Sequence, residues 1–217
     1  MIIHHPATEV LSDYARGALN AGAALVVATH VQACTVCREE VGFLECIGGI
    51  VLQDEASVAL SDGAFRNVLN RIAQRAVNGK GVERQAPSYL DRFAISQQLR
   101  SRKIGRRLWV TPNIWFAPVG EGAPNEARTY LLYARPNTRL SQHTHAGREF
   151  TIVLHGAFRD GGGLFGPGDF AETDDAILHS PTVTDESDCL CLISADAPMR
   201  LTNPIARVIQ TLTGSFY

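Results

Sequence analysis

Two periods divide the hydrophobic positions of this chain. Up to about residue 80 apolar residues recur every three or four positions, which marks helices; from about Leu108 the period falls to two, which marks strands. Thr8 stands where it can cap a first helix over Glu9 to Leu19, with Val10, Leu11, Tyr14 and Ala15 on one side and Glu9 in the first turn. Gly17 and Asn20-Ala21-Gly22 end it. A second helix, about Ala23 to Ala33, is apolar almost all round, as expected for the buried centre of a small bundle. A third runs from about Cys37 to Leu52 on Val41, Leu44, Ile47 and Val51. Ser61 caps a fourth, where Phe65, Val68, Leu69 and Ile72 form a stripe opposite Arg66, Asn70 and Gln74. That stripe is too wide for a lone helix in water, so it belongs against the bundle, the second domain or a partner protein.

In the second half the pattern predicts strands at Leu108 to Phe116, Ala127 to Ala134, Phe150 to Leu154, Cys189 to Ser194 and Arg207 to Leu212. Turns are marked by Gly120, Pro136-Asn137, Gly161-Gly162-Gly163 and Pro167-Gly168-Asp169, so a β-sandwich or barrel is expected. The reading is two domains: an all-α bundle over 1–80, a linker over 81–100 around Gly81 and Gln85-Ala86-Pro87, and an all-β domain over 101–217.

Composition changes this picture little. With 217 residues, 45% hydrophobic and 19% charged, the chain is an ordinary globular protein. A formal net charge of -2 gives no global reason to expect nucleic acid, and the run Arg100, Arg102, Lys103, Arg106, Arg107 reads as a solvated loop or edge strand. Thr8 to Leu19 is too polar for the core of a signal peptide, and Ala21 to Val31 is far short of a membrane span, so neither export nor a membrane is expected. Five cysteines under that reading point to the reducing cytoplasm, where closely spaced cysteines are more often metal ligands than disulfides.

Two clusters carry candidate chemistry. In His30-x3-Cys34-x2-Cys37, His30 and Cys34 lie one helical turn apart and share a face. Cys37 would stand roughly 10 Å from His30 on a straight helix, so the helix must end near Cys34 for all three to meet one zinc ion. Thr35 and Val36, mediocre helix formers, suit the turn. A fourth ligand is needed, and either His4 or His5 can supply it. In the second half, His143 and His145 project from one face of a strand, Glu149 follows a Gly-bearing bend, and His179 comes after the Gly168-Asp169 turn. His155 lies about 20 Å along the strand from Glu149 and is excluded. Three histidines and a glutamate suit Zn, Fe, Mn or Ni without choosing among them. Cys189 and Cys191 share a strand face and read as core.

Thr138 to Gly156, with His143, His145, Glu149 and a glycine seven residues beyond, resembles the first cupin motif, and Gly168-Asp169 through His179 resembles the second. One departure is Asp174-Asp175-Ala176 where cupins usually carry a Pro-x-Gly turn. The first half resembles the zinc-binding anti-sigma domain. Together, with His4-His5, Leu25 to His30 and Leu154 to Asp160 alike, they resemble the ChrR-type anti-sigma factors over nearly the whole chain. The resemblance implies a cupin, a double-stranded β-helix or jelly-roll barrel, behind a helical zinc domain. It implies His5, rather than His4, beside His30, Cys34 and Cys37 at the zinc, and His143, His145, Glu149 and His179 around a second metal. It also implies a partner: an extracytoplasmic-function sigma factor held in a 1:1 heterodimer and released under singlet oxygen or organic hydroperoxide stress, with no direct contact to nucleic acid. The rival reading is a metal-dependent cupin enzyme, a dioxygenase or hydrolase, with an accessory zinc domain. A weaker one is a thiol sensor in which oxidation of Cys34 and Cys37 expels zinc.

Overall fold

A computed structural model describes residues 1–78, 86–120, 128–197 and 199–202. The strand expected at Arg207 to Leu212 and the beginning of the linker, 81–85, lie outside them. Four helices come first: α1 (Thr8–Ala15), α2 (Ala21–Ala33), α3 (Thr35–Asp54) and α4 (Ala64–Asn78). Thr8 is not the cap of α1 but its first helical residue, after Ala7, and its hydroxyl donates to Glu40 of α3 at 2.9 Å. The helix stops at Ala15 rather than Leu19 because Gly17, at φ 70°, turns the chain left-handed. Asn20 caps α2, its side chain accepting the Ala23 N–H at 2.9 Å. Cys34 is extended, with ψ 114°, and bends the chain by 117° from α2 into α3.

The second half is a cupin-like barrel of eleven short strands among the described residues. The largest sheet has the order β1-β2-β3-β10-β5-β8, built from Leu108–Thr111, Ile114–Pro118, Arg128–Ala134, Cys189–Ala195, Glu149–His155 and Phe170–Thr173, all antiparallel. Against it lie β7-β6-β9 (Gly163–Phe165, Phe158–Asp160, Thr182–Val183) and the pair β11-β4 (Met199–Leu201, His143–His145). The single strand expected over Leu108 to Phe116 is a hairpin, broken at Pro112-Asn113, where the Thr111 hydroxyl accepts the N–H groups of Asn113 and Ile114.

Alternation along β10 shows how the halves join. Cys189, Cys191 and Ile193 point into the barrel with Tyr130, Val153 and Phe158, whereas Leu190 and Leu192 point outward into a second cluster. That outer cluster contains Leu131, Ile152 and Trp115 from the sheet together with Leu11, Leu25, Val26 and Val27 from the helices. Both faces of the strand are covered, which is why it is buried along its whole length and reads as a continuous apolar run. The apolar helix α2 is therefore buried on the sheet rather than at the centre of a free-standing bundle. Gly22 permits the approach: a Cβ there would collide with the hydroxyls of Thr129 and Ser194.

The later part of the expected linker is packed rather than free. A 3-10 turn at Ser88–Leu90 and the short α5 (Gln97–Arg100) set Leu90, Phe93, Ile95 and Leu99 into the same outer cluster. By contrast, the stripe on α4 is bare. Phe65 is 73% exposed, Ile72 60% and Leu52, at the end of α3, 74%, with Phe43, Ile50 and Val51 also uncovered.

Candidate metal centres

The bend at Cys34 lets two helices and the N-terminal arm converge. His30 from the end of α2, Cys34 at the bend, Cys37 in the first turn of α3 and His5 from the arm place their donor atoms within 4.8 Å of one another. His30 Nε2 stands 3.2 Å from Cys37 Sγ, and His5 Nδ1 stands 3.4 Å from both sulfurs. A tetrahedral zinc with sulfur at about 2.3 Å and nitrogen at about 2.0 Å requires S–N edges of about 3.5 Å. The set therefore has the dimensions of a closed Cys2His2 site. His4, the other histidine that could have filled the fourth position, instead stacks on Phe165 and reaches the Leu164 carbonyl.

Burial governs the chemistry of these donors. It lowers the His30 pKa, so the ring is neutral with a lone pair available. Because a carbonyl only accepts, the 2.8 Å contact of Nδ1 with the Gly168 oxygen makes Nδ1 the protonated nitrogen and turns Nε2 toward Cys37. Burial, with Cys34 beside it, pushes the Cys37 thiol up to about 12. Metal binding must then displace a proton from that thiol, and a zinc ion held here would stabilise the thiolate and brace a small helical layer.

The second site is at the mouth of the barrel. Strand β4 supplies His143 and His145, and a bridge between the His143 and His179 backbones brings the third ring in; all three rings offer nitrogens within 4.8 Å. Their outer nitrogens are engaged in two cases: His143 Nδ1 donates to the Ser141 carbonyl at 2.8 Å, and His179 Nδ1 to Asp160 at 2.6 Å. This makes Nε2 the lone-pair nitrogen of His143 and of His179, and His145 presents its own Nε2 3.1 Å from that of His179. Burial holds His143 and His145 down at about 4, so both are neutral ligands near pH 7.

Glu149 lies outside the group formed by the three rings. Its carboxylate stands 3.4 Å from His145 Nδ1 and lines the same cavity as His143 and His179. Burial raises Glu149 to about 7 despite the Tyr130 hydroxyl that donates to it at 3.2 Å. His145 Nδ1 is itself buried without a hydrogen bond, an unsatisfied atom beside an acid, as expected where a cation would draw the carboxylate in. A metal here would be held by the three rings with Glu149 adjacent, and would supply a Lewis acid with open positions.

Gly168 was marked in the sequence only as a turn and Asp160 only as part of the family resemblance; that these two and Tyr130 orient His30, His179 and Glu149 left no spacing to read, since they lie 19 to 138 residues from those groups. The excluded His155 is indeed away from the site, against Phe93 and near Asp188. Gly156, whose spacing belongs to the cupin pattern, sits at φ 68° with the Asp188 carbonyl where a Cβ would be, so only glycine fits. Inside the barrel, a cavity of about 60 Å³ is lined by His143, Glu149, His179, Tyr130 and the Cys189–Cys191 pair.

Residues 107–197 match the ChrR cupin-like domain family. Over 219 aligned positions the chain is 33% identical to the anti-sigma-E factor ChrR of Cereibacter sphaeroides, covering 96% of this chain and 97% of that one. The chain belongs to the ChrR family of anti-sigma factors. A crystal structure of Rhodobacter sphaeroides SigE in complex with the anti-sigma ChrR matches with a TM-score of 0.69 and 32% identity, over 90% of this chain and all of that one. Membership of the ChrR family is membership of a class of regulators, which sets aside the reading as a cupin enzyme.

Proposed function

We propose that this chain sequesters an extracytoplasmic-function sigma factor in the cytoplasm as a 1:1 heterodimer and releases it under oxidative stress. The bare apolar surface of α4 and of the end of α3 carries this reading. Phe65, Val68, Leu69 and Ile72 on α4, with Phe43, Ile50 and Leu52 on α3, are large apolar side chains left uncovered by the rest of the described chain, the mark of a protein partner's site. The relative crystallised with SigE supports a sigma factor as that partner. No single described helix is long and apolar enough to cross a membrane.

The two metal centres divide the work. Zinc on His5, His30, Cys34 and Cys37 holds the helical layer in shape for binding. The barrel centre on His143, His145 and His179, with Glu149, holds zinc or another divalent ion such as Mn, Fe or Ni, and is the sensing element. A cavity of about 60 Å³ has room for an ion and a few waters at roughly 10–15 Å³ each. A sigma-dependent reporter, read with and without a photosensitiser and light or an organic hydroperoxide, tests the assignment. His143→Ala and Glu149→Ala are expected to inhibit normally yet fail to induce; normal induction by both would refute the sensing role of the barrel.

A further inference from the structure

Two of the four residues of the Cys2His2 cluster, His5 and His30, are held from the barrel. The N-terminal arm, which carries His5, lies on the turn that precedes β8. Asp169 in that turn is only 4% exposed, and one of its oxygens accepts the N–H of Ile3 at 2.7 Å and of His4 at 2.9 Å. The Phe170 N–H then donates to the His4 carbonyl at 3.0 Å, extending the grip to the residue before His5. One position earlier, Gly168 accepts from His30 Nδ1 at 2.8 Å. Gly168 has φ 90°, and Ile2 Cδ1 lies 2.6 Å from where its Cβ would stand, so the arm rests directly on the turn.

We propose that Gly168 and Asp169 are positioning residues of the N-terminal zinc site: the barrel turn orients His30 through Gly168 and delivers His5 through Asp169. The other carboxylate oxygen of Asp169 accepts the Gly166 N–H at 2.8 Å, which ties the grip to the shape of the turn itself. Any displacement of that turn is felt by both imidazole ligands at once, while Cys34 and Cys37 stay on their helices. Partners that orient metal-ligating histidines typically change metal affinity 10–100-fold when removed. The inference rests on the reading that this cluster holds zinc.

Full-length protein loaded with zinc, and separately with cobalt, provides the test. Zinc transfer to a chromogenic chelator is expected to be about tenfold faster or more in Asp169→Ala, and the cobalt spectrum to lose intensity as a nitrogen ligand is lost. Asp169→Asn, which keeps an acceptor oxygen, is expected to fall nearer the parent. Ile3→Pro removes the shorter hydrogen bond while leaving the turn intact, and decides the matter alone if Asp169→Ala does not fold. His4→Ala, which keeps both N–H donors, is expected to match the parent. Zinc transfer within twofold of the parent in Ile3→Pro and in folded Asp169→Ala, with unchanged cobalt spectra, overturns the inference. A parent that takes up no zinc at the four ligands overturns the zinc reading instead.

Discussion

At the scale of single residues, burial and tautomer decide what each donor does. Cys34 is the one residue that both ends α2 and offers a ligand, so its loss removes a donor while leaving the bend without metal to secure it. Elemental analysis is expected to find two ions per chain in the parent and one fewer in Cys34→Ala, which is also expected to release the sigma factor constitutively. Losing the zinc removes on the order of several kcal/mol of folding free energy from a small layer. Tyr89 gives a pH dependence away from the metals. Its hydroxyl donates to the Gly105 carbonyl at 2.6 Å, and burial raises it from 10.0 to about 12. A raised pKa means that the neutral form is favoured by folding, so the contribution is intact below pH 10.0 and lost as pH rises toward about 12. Tyr89→Phe is expected to cost about 1 kcal/mol at pH 8 in urea unfolding, with the gap to the parent closing between those two values.

Secondary-structure elements separate two kinds of apolar helix. Helix α2, apolar almost all round, is buried on the sheet, whereas α4, with one apolar stripe opposite a polar face, leaves that stripe bare. Charges introduced on α4 therefore disturb no packed neighbour. Phe65→Asp with Leu69→Asp is expected to shift stability by no more than about 0.5 kcal/mol per site. The same pair is expected to abolish capture of the sigma factor on gel filtration, because aromatic and aliphatic anchors dominate such interfaces. Wild-type capture by the double variant would move the partner surface elsewhere. The alternation of β10 could be read in the sequence only as a continuous apolar run; that its two faces serve two different cores depends on the helices lying outside the barrel.

For the whole molecule, the shared outer cluster makes the helices and the barrel interdependent. Val26 and Leu25 of α2 pack in one cluster with Leu131, Ile152 and Leu192 of the sheet, and Leu90 and Leu99 extend that cluster along the chain between the halves. Thermal unfolding is expected to show coincident transitions in far-ultraviolet circular dichroism, dominated by helices, and in the fluorescence of Trp115 on the barrel. Two transitions separated by many degrees would show that the halves are independent. Gly22→Val, which drives a side chain into Thr129 and Ser194, is expected to lower both signals together, at a cost of about 1–3 kcal/mol.

Much of this was legible from residue order alone, because the interactions concerned are local. The change of period from helix to strand, the end of α2 at Cys34, and the approach of His143 to His145 all depend on neighbours within a few positions. Resemblance added the family and, with it, the choice of His5 over His4. The tertiary structure alone decided matters of long range. It left Glu149 outside the three-histidine group, supplied Asp160 to His179, and placed α2 on the sheet. It also set the Gly168-Asp169 turn against the N-terminal arm, some 165 residues away in the chain. Hydrophobic periodicity says which face of an element is buried, not what buries it, and a hydrogen bond between distant segments leaves no spacing to read.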